Sequence, residues 1–251
     1  MCSNKNMAKP HQKKKRKYLT TNKRGSTFWN KEYINAEHLA LSTNPSEDLI
    51  KFIRWLEREH HYAIPNPNWV VFDVGCGNGR NLIHLAKEYG VHGGGFDISS
   101  HAITQGKEAS HDLPLAFTLR SLKEPLKKDT DSQNLVLDMM ASHVLDQDER
   151  IALRDEIDRV LKPDGWLFMK TFLLDEDRNA ARMLKEHAAD EPGSYIHPNI
   201  GILEHVYRES ELIAFLEPRF TIHRITRSHQ HLRDGRPHKR RSICVYAQVK
   251  K

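Results

Sequence analysis

The 251-residue sequence predicts an α/β fold whose mostly parallel sheet ends in an antiparallel hairpin, and three observations predict it. Between residues 69 and 174, short β-rich apolar runs alternate with helical segments, the pattern of right-handed βαβ units that cover both faces of a parallel sheet. The first of those runs opens into a glycine-rich loop, "DVGCGNGRN" (73–81), at the place where an open α/β sheet receives its ligand. The last two β-rich runs are joined by "RDGRPHK" (233–239), whose Asp-Gly signals a turn.

The elements follow in order. Residues 1–26 form a basic arm with almost no large apolar side chains, so it cannot bury itself and is expected to be disordered. Residues 27–251 then make a single domain, with 27–65 as an N-terminal helical cap. Within that cap Ser46 starts a helix, Glu47 and Asp48 favour its positive end, and Leu49, Phe52, Ile53 and Leu56 form its apolar face. Pro65 and Pro67 end the unit. Strands are expected at 69–74, 92–99, 113–120, 134–140 and 165–174, and helices at 81–90, 100–109 and 147–161. Residues 174–207 form a lid insertion after the fifth strand, in which Tyr195, His197 and Tyr207 could stack on a base or line a small pocket. A helix over 209–218 and strands over 219–232 and 240–249 complete the chain.

The net charge of +6 conceals an asymmetry. Residues 1–24 hold nine Lys/Arg and no acid, and residues 224–251 hold nine against the single Asp234, which leaves the 25–223 body at −11. The arm reads as a solubilising tail, as an import signal through Lys13–Lys17 in a cell with a nucleus, or as an electrostatic arm for nucleic acid. No apolar run approaches the ~20 residues that span a bilayer, so no membrane association is expected. Cys2, Cys76 and Cys244 are few and scattered, which suits a reduced intracellular protein, cytoplasmic or nuclear. The histidines, including His60–His61 and His229–His231, lack ligand partners at metal-binding spacing, and no metal site is expected.

The glycine loop discriminates among nucleotide cofactors. A phosphate-binding P-loop closes with Gly-Lys-Ser/Thr, whereas here Gly79 is followed by Arg80 and Asn81. A dinucleotide loop needs G-x-G-x-x-G, and the third glycine is missing in both registers, at Arg80 and at Leu82. Asp73, at the end of the first strand, would repel a pyrophosphate but suits a cofactor that carries an ammonium group. Asp97, at the end of the second strand, is placed to grip a ribose diol; its alternative role is a helix N-cap.

These residues resemble the class I S-adenosylmethionine-dependent methyltransferases over most of 65–250. "VVFDVGCGNGRNLIHLA" matches the first motif of that family, "VLDMMASHVL" the fourth-strand motif, and "EIDRVLKPDGWLFMKTF" the helix, turn and fifth strand that follow. The resemblance implies a Rossmann-like, seven-stranded sheet with a C-terminal antiparallel hairpin and helices on both faces. It implies S-adenosyl-L-methionine as cofactor, with Asp73, Gly75, Cys76, Gly77 and Gly79 around the methionine moiety and Asp97 on the ribose. It adds Asn78, Ile98, Leu122 and Met139 to the cofactor-binding set. Ser121 stands where many members have an adenine-contacting Asp, and Asn134 where the fourth strand usually opens with an acid.

The acceptor is less constrained, because an activated sulfonium needs positioning more than covalent help. The Asn/Asp-Pro-Pro-aromatic motif of base-amine methyltransferases is replaced by "DMMASH", and none of the cysteines is placed as a nucleophile. Asp138 and His143, at the end of the fourth strand, are the candidate bases, with a satisfied structural histidine as the alternative for His143. The basic residues 9–24 and 228–241 suggest an anionic acceptor, RNA, held by its phosphates. Arg240 and Arg241 alternatively form a charged sheet edge. Three function classes therefore stand: a methyltransferase acting on RNA, one acting on a small molecule, and a non-catalytic module that keeps the fold.

Overall fold

The computed structural model describes residues 22–37, 41–61, 63–228, 232–233, 236–237 and 240–251. Helix α1 (Asn22–Ile34) and helix α2 (Glu47–Glu59) precede the sheet. The alternating body runs β1 (Val70–Val74), α3 (Arg80–Tyr89), β2 (His92–Asp97), α4 (Ser100–Ala109), β3 (Leu115–Leu119), β4 (Gln133–Met139), α5 (Gln147–Val160) and β5 (Leu161–Phe172). The insertion contributes α6 (Arg178–His187) and a small antiparallel pair, β6 (Ser194–Ile196) with β7 (Leu203–His205). Then come α7 (Glu209–Leu216), β8 (Phe220–Arg227), a two-residue ribbon of β9 (Leu232–Arg233) and β10 (Arg236–Pro237), and β11 (Ser242–Val249).

Seven strands form one sheet in the order β3-β2-β1-β4-β5-β11-β8, and only β11 runs antiparallel to its neighbours. The chain winds outward from β1 to β3 and then restarts at β4 on the other side of β1. The crevice at the carboxyl ends of β1 and β4 is therefore the switch point where ligands bind in such sheets. Central strands alternate between two cores, as a pleated sheet covered on both faces requires. Val71, Leu135, Leu137, Trp166, Phe168 and Tyr246 face the α2–α3 layer, while Phe72, Val74, Val136, Leu167, Met169 and Val245 face α5 and α7.

Local sequence explains most boundaries. Ser46 is the N-cap of α2, and Leu49, Phe52, Ile53 and Leu56 are all buried, each worth roughly 1.5–3 kcal/mol by transfer. The Asp146 side chain accepts from the Glu149 amide, and Glu149 returns the bond, which makes a capping box at the start of α5. Asn134, the non-acidic opener of the fourth strand, accepts from the Val70 amide and from Lys162 Nζ, tying β4 to β1 and to the turn before the main part of β5.

Three boundaries differ from the sequence expectation. Helix α1 begins at Asn22, inside the stretch read as a disordered arm; residues 1–21 lie outside the described residues. Pairing of β5 with β4 starts at Leu161 and resumes at Trp166, with the Lys-Pro-Asp-Gly turn as a bulge between them. The insertion is a folded layer with its own core of Ala180, Met183, Tyr195 and Val206, packed against Phe172 and Leu174. No helix among the described residues is long and apolar enough to cross a membrane.

Candidate active site

The first strand delivers Asp73 to the crevice and then turns on three glycines. Gly75, Gly77 and Gly79 adopt φ of 69°, 56° and 73°, a region costly for side-chain-bearing residues. Space is equally restrictive: a Cβ at Gly75 would lie 2.5 Å from the Ala141 Cβ, and one at Gly79 2.4 Å from the Phe117 ring. Gly79 is also the residue from which α3 starts, so the loop ends on the positive pole of that helix. Asn78 and Arg80 brace the loop from outside by donating to the Ser42 and Asn44 carbonyls.

Asp97 bridges the two loops. Its Oδ2 accepts from the Gly77 amide at 2.9 Å and its Oδ1 from the Ser99 amide at 2.8 Å. The cap of α4 is Ser99, whose side chain accepts from the Ala102 amide, so Asp97 is left at the strand end with lone pairs to spare. Ile98 follows it, partly buried. Ser121 lies buried beyond β3 and accepts from the Lys123 amide, with Leu122 beside it near Gly75. Across the crevice Met139 accepts a bond from Asn81 through its sulfur. The sequence-predicted cofactor set thus converges from the ends of β1, β2, β3 and β4.

The electrostatics are those of a site for a cation. Asp73 is 2% exposed, and its Oδ2 is buried with no hydrogen-bond partner. Burial, reinforced by Asp138 and Asp97, pushes its carboxyl well above the ordinary range. Asp97 and Asp138 are also raised by burial, although backbone amides hold them down in part. An orphaned carboxylate oxygen at the mouth of a glycine cradle fits an ammonium-bearing nucleoside. Cys76, between two of the glycines, is buried, and burial raises its thiol well above the ordinary value, which rules against nucleophilic use.

Sequence reasoning missed one contributor. Tyr33, from α1, reaches over the loop, and a Cβ at Gly77 would lie 2.1 Å from its hydroxyl. Burial and the nearby Asp97 raise this phenol. Helix α1 is pinned there by Asn30, which accepts from the Ser99 and Ser100 hydroxyls and the His101 amide, and by Gln105 Nε2, which donates to the Tyr33 carbonyl. "FWNKEY" carried the signal, an aromatic cluster in an otherwise polar stretch.

The match of residues 71–165 to the family described as "Methyltransferase domain" covers β1 through the start of β5 and contains the loop and Asp97. Residues 71–165 carry a methyltransferase domain. Its cofactor is S-adenosylmethionine. No curated protein matched the chain by sequence. Among solved structures, a SAM-dependent methyltransferase from Methanosarcina mazei is 23% identical with a TM-score of 0.63, over 76% of this chain and 96% of that one. The N-methyltransferase NodS from Bradyrhizobium japonicum WM9, solved with S-adenosyl-L-homocysteine, is 13% identical with a TM-score of 0.63, over 91% and 100%. A protein solved in work on conversion of a disulfide bond into a thioacetal group during echinomycin biosynthesis is 16% identical with a TM-score of 0.62, over 89% and 92%. At these identities the three establish the fold.

On the acceptor side of this methyltransferase the two candidate bases differ. Asp138 is 3% exposed and accepts from the Ser142 amide at 3.1 Å, so it is engaged in holding the 3-10 turn Ser142–Val144 after β4. The backbone between them is strained at Met140, with φ of 60°. His143 sits edge-on to Phe172 at 4.9 Å, and its Nδ1 is buried without a partner. Burial, helped by Arg240, His205 and Arg150 against the opposing Glu204, lowers it to about 4. It is therefore neutral, with a vacant ring nitrogen, at ordinary pH.

The insertion closes this side. Tyr207 donates its amide to the Phe172 carbonyl at 3.1 Å, and Leu174 returns a bond to Tyr207 at 2.7 Å. Tyr195 and Tyr207 are 0% and 1% exposed, so neither ring presents a face for stacking. His197 is only partly buried. Tyr195 donates to Glu204 Oε2, which also accepts from Arg240 Nη1 at 2.6 Å. Behind them Arg150 pairs with Glu191, and His205 bridges Ser194, Glu191 and Glu211.

β8 runs parallel to β5, so its carboxyl end lies level with the site. The side chains of 229–239 lie outside the described residues. The described arginines of that rim are paired within the protein: Arg227 with Glu209, Arg240 with Glu204, and Arg241 with Glu176 at 3.2 Å.

Proposed function

We propose that this methyltransferase acts on a small acceptor held beneath the 174–207 insertion. The observation that carries the reading is the packed insertion itself. Its tyrosines are fully covered and each described rim arginine is paired with an acid of the protein, so the insertion's tyrosines give a polynucleotide no stacking ring and these arginines give it no unpaired charge. The bound cofactor supplies an electrophilic methyl group. The protein's part is to orient the acceptor at the end of β4 and, where the acceptor must lose a proton, to take it on the neutral Nδ1 of His143. Asp138 serves by holding the turn that carries His143.

A second reading, methylation of RNA, is favoured by the nine Lys/Arg without an acid in residues 1–24 and by the basic 228–241 segment. In that case the arm grips phosphates; under the first reading it serves solubility or, through Lys13–Lys17, nuclear localisation. Tritiated methyl transfer from S-adenosylmethionine into fractionated cell extract separates the two. Label in the small-molecule ultrafiltrate is the expected result, and label confined to RNA supports the second reading and sinks the first.

A further inference from the structure

We propose that the acceptor carries a carboxylate, anchored by the Nε–Nη2 edge of Arg240. The proposal rests on the small-acceptor reading above. It starts from an imbalance at one side chain. Arg240 uses Nη1 to donate to Glu204, while its Nε and Nη2 are both buried and have no partner. Leaving buried donors unpaired is unfavourable, the more so on a charged group. Those two nitrogens lie on one edge of the guanidinium and present parallel N–H bonds, the geometry that matches the two oxygens of a carboxylate.

The edge is also held still. The guanidinium stacks on Phe172 with its central carbon 3.3 Å from the ring centroid and approaches Tyr195 at 5.7 Å. The Arg241 carbonyl accepts from the Leu173 amide at 3.0 Å, which fastens this corner to the end of β5. His143 lies nearly perpendicular to the same Phe172 ring, so the anion grip and the vacant histidine nitrogen both adjoin one side chain. The Tyr207 hydroxyl, buried and without a partner, adds a fourth unused polar atom to this side of the site.

Charge selects the class of anion. Glu204 already balances Arg240, and His143 is neutral, so any charge the ligand brings goes uncompensated and a monoanion is favoured over a phosphate dianion. A carboxylate needs the paired donors and brings a single charge. As an anchor it is not itself methylated, and the product keeps its negative charge.

The test uses the full-length protein and the small-molecule ultrafiltrate that accepts tritiated methyl. Amidation of the pool with carbodiimide and methylamine should remove labelling, alkaline phosphatase should leave it, and the labelled product should bind an anion exchanger. Arg240→Lys keeps the charge and loses the two-pronged edge. It should raise the KM for the partly purified acceptor by at least about tenfold, with S-adenosylhomocysteine affinity unchanged. Labelling that survives amidation, or that disappears with phosphatase, overturns the carboxylate and leaves the small-acceptor reading standing. An Arg240→Lys enzyme with an unaltered KM overturns the role of that edge. Label found only in RNA or protein overturns both. The amidation arm needs no variant and stays decisive if Arg240→Lys fails to fold.

Discussion

The two sides of the switch point solve opposite problems. On the β1–β2–β3 side the protein leaves groups open: an unpartnered Asp73 oxygen, a glycine loop no side chain can fill, and Asp97 with lone pairs to spare. On the β4–β5–β11–β8 side charges are paired across long stretches of chain, Arg150 with Glu191 and Arg240 with Glu204, and aromatic rings are covered. The first side is a receptor for a common cofactor; the second is a closed frame with a few unsatisfied atoms, which is how a site becomes selective. The difference teaches where specificity resides.

Variants on each side should separate the two functions. Asp97→Ala removes a charged acceptor and loosens the Gly77 and Ser99 amides. S-adenosylhomocysteine affinity measured by calorimetry should fall by at least about 100-fold, the loss of two charge-assisted bonds at roughly 1.5–3 kcal/mol each. Arg150→Met acts on the other side. It strips a 4% exposed arginine from Glu191 and from the Leu145 carbonyl, and should cost about 3–5 kcal/mol in denaturant unfolding. The variant that remains folded at low denaturant should still bind S-adenosylhomocysteine.

pH should weaken the two sides in opposite directions. Asp73 and Asp97 have carboxyls raised above the ordinary 3.8, so the folded state holds protons that the unfolded state has lost; the cofactor-free protein should lose stability there as pH rises above that value. Arg80 opposes this at Asp73. His143 is lowered from 6.5 to about 4, so the unfolded state binds the extra proton, and stability should fall as pH drops from 6.5 towards 4. Glu204 on β7 opposes that fall, while Arg240, Arg150 and His205 add to it. Hydrogen exchange read at β1–β2 and at β4–β7 across this range would show the crossing trends, and His143→Gln should flatten the second. At the small end, Arg227→Ala breaks an exposed pair with Glu209 and should change stability by no more than about 1 kcal/mol.

Legibility in the sequence followed the same division. The glycine loop, Asp97, the α2 face and the βαβ alternation were readable because each depends on residues within a few positions of one another. The role of Ser99 as the cap of α4, a role the sequence also allowed Asp97, was settled only by coordinates. Tyr33 could not be placed because it joins the loop across 44 residues of sequence, through helix α1 packing on α4. The internal pairing of Arg240 with Glu204 was hidden for the same reason: charge counts register a basic segment and not the acid that meets it from 36 residues away.

The central claim is that Asp73, orphaned and buried, is kept for the ammonium of the cofactor. Calorimetric titration of S-adenosylhomocysteine into the wild type and into Asp73→Asn tests it most directly. The account predicts one binding event per chain in the wild type and an affinity lower by at least about tenfold in the variant, the value of one charge-assisted bond. Equal affinity in the two proteins, or no binding to the wild type, would contradict it.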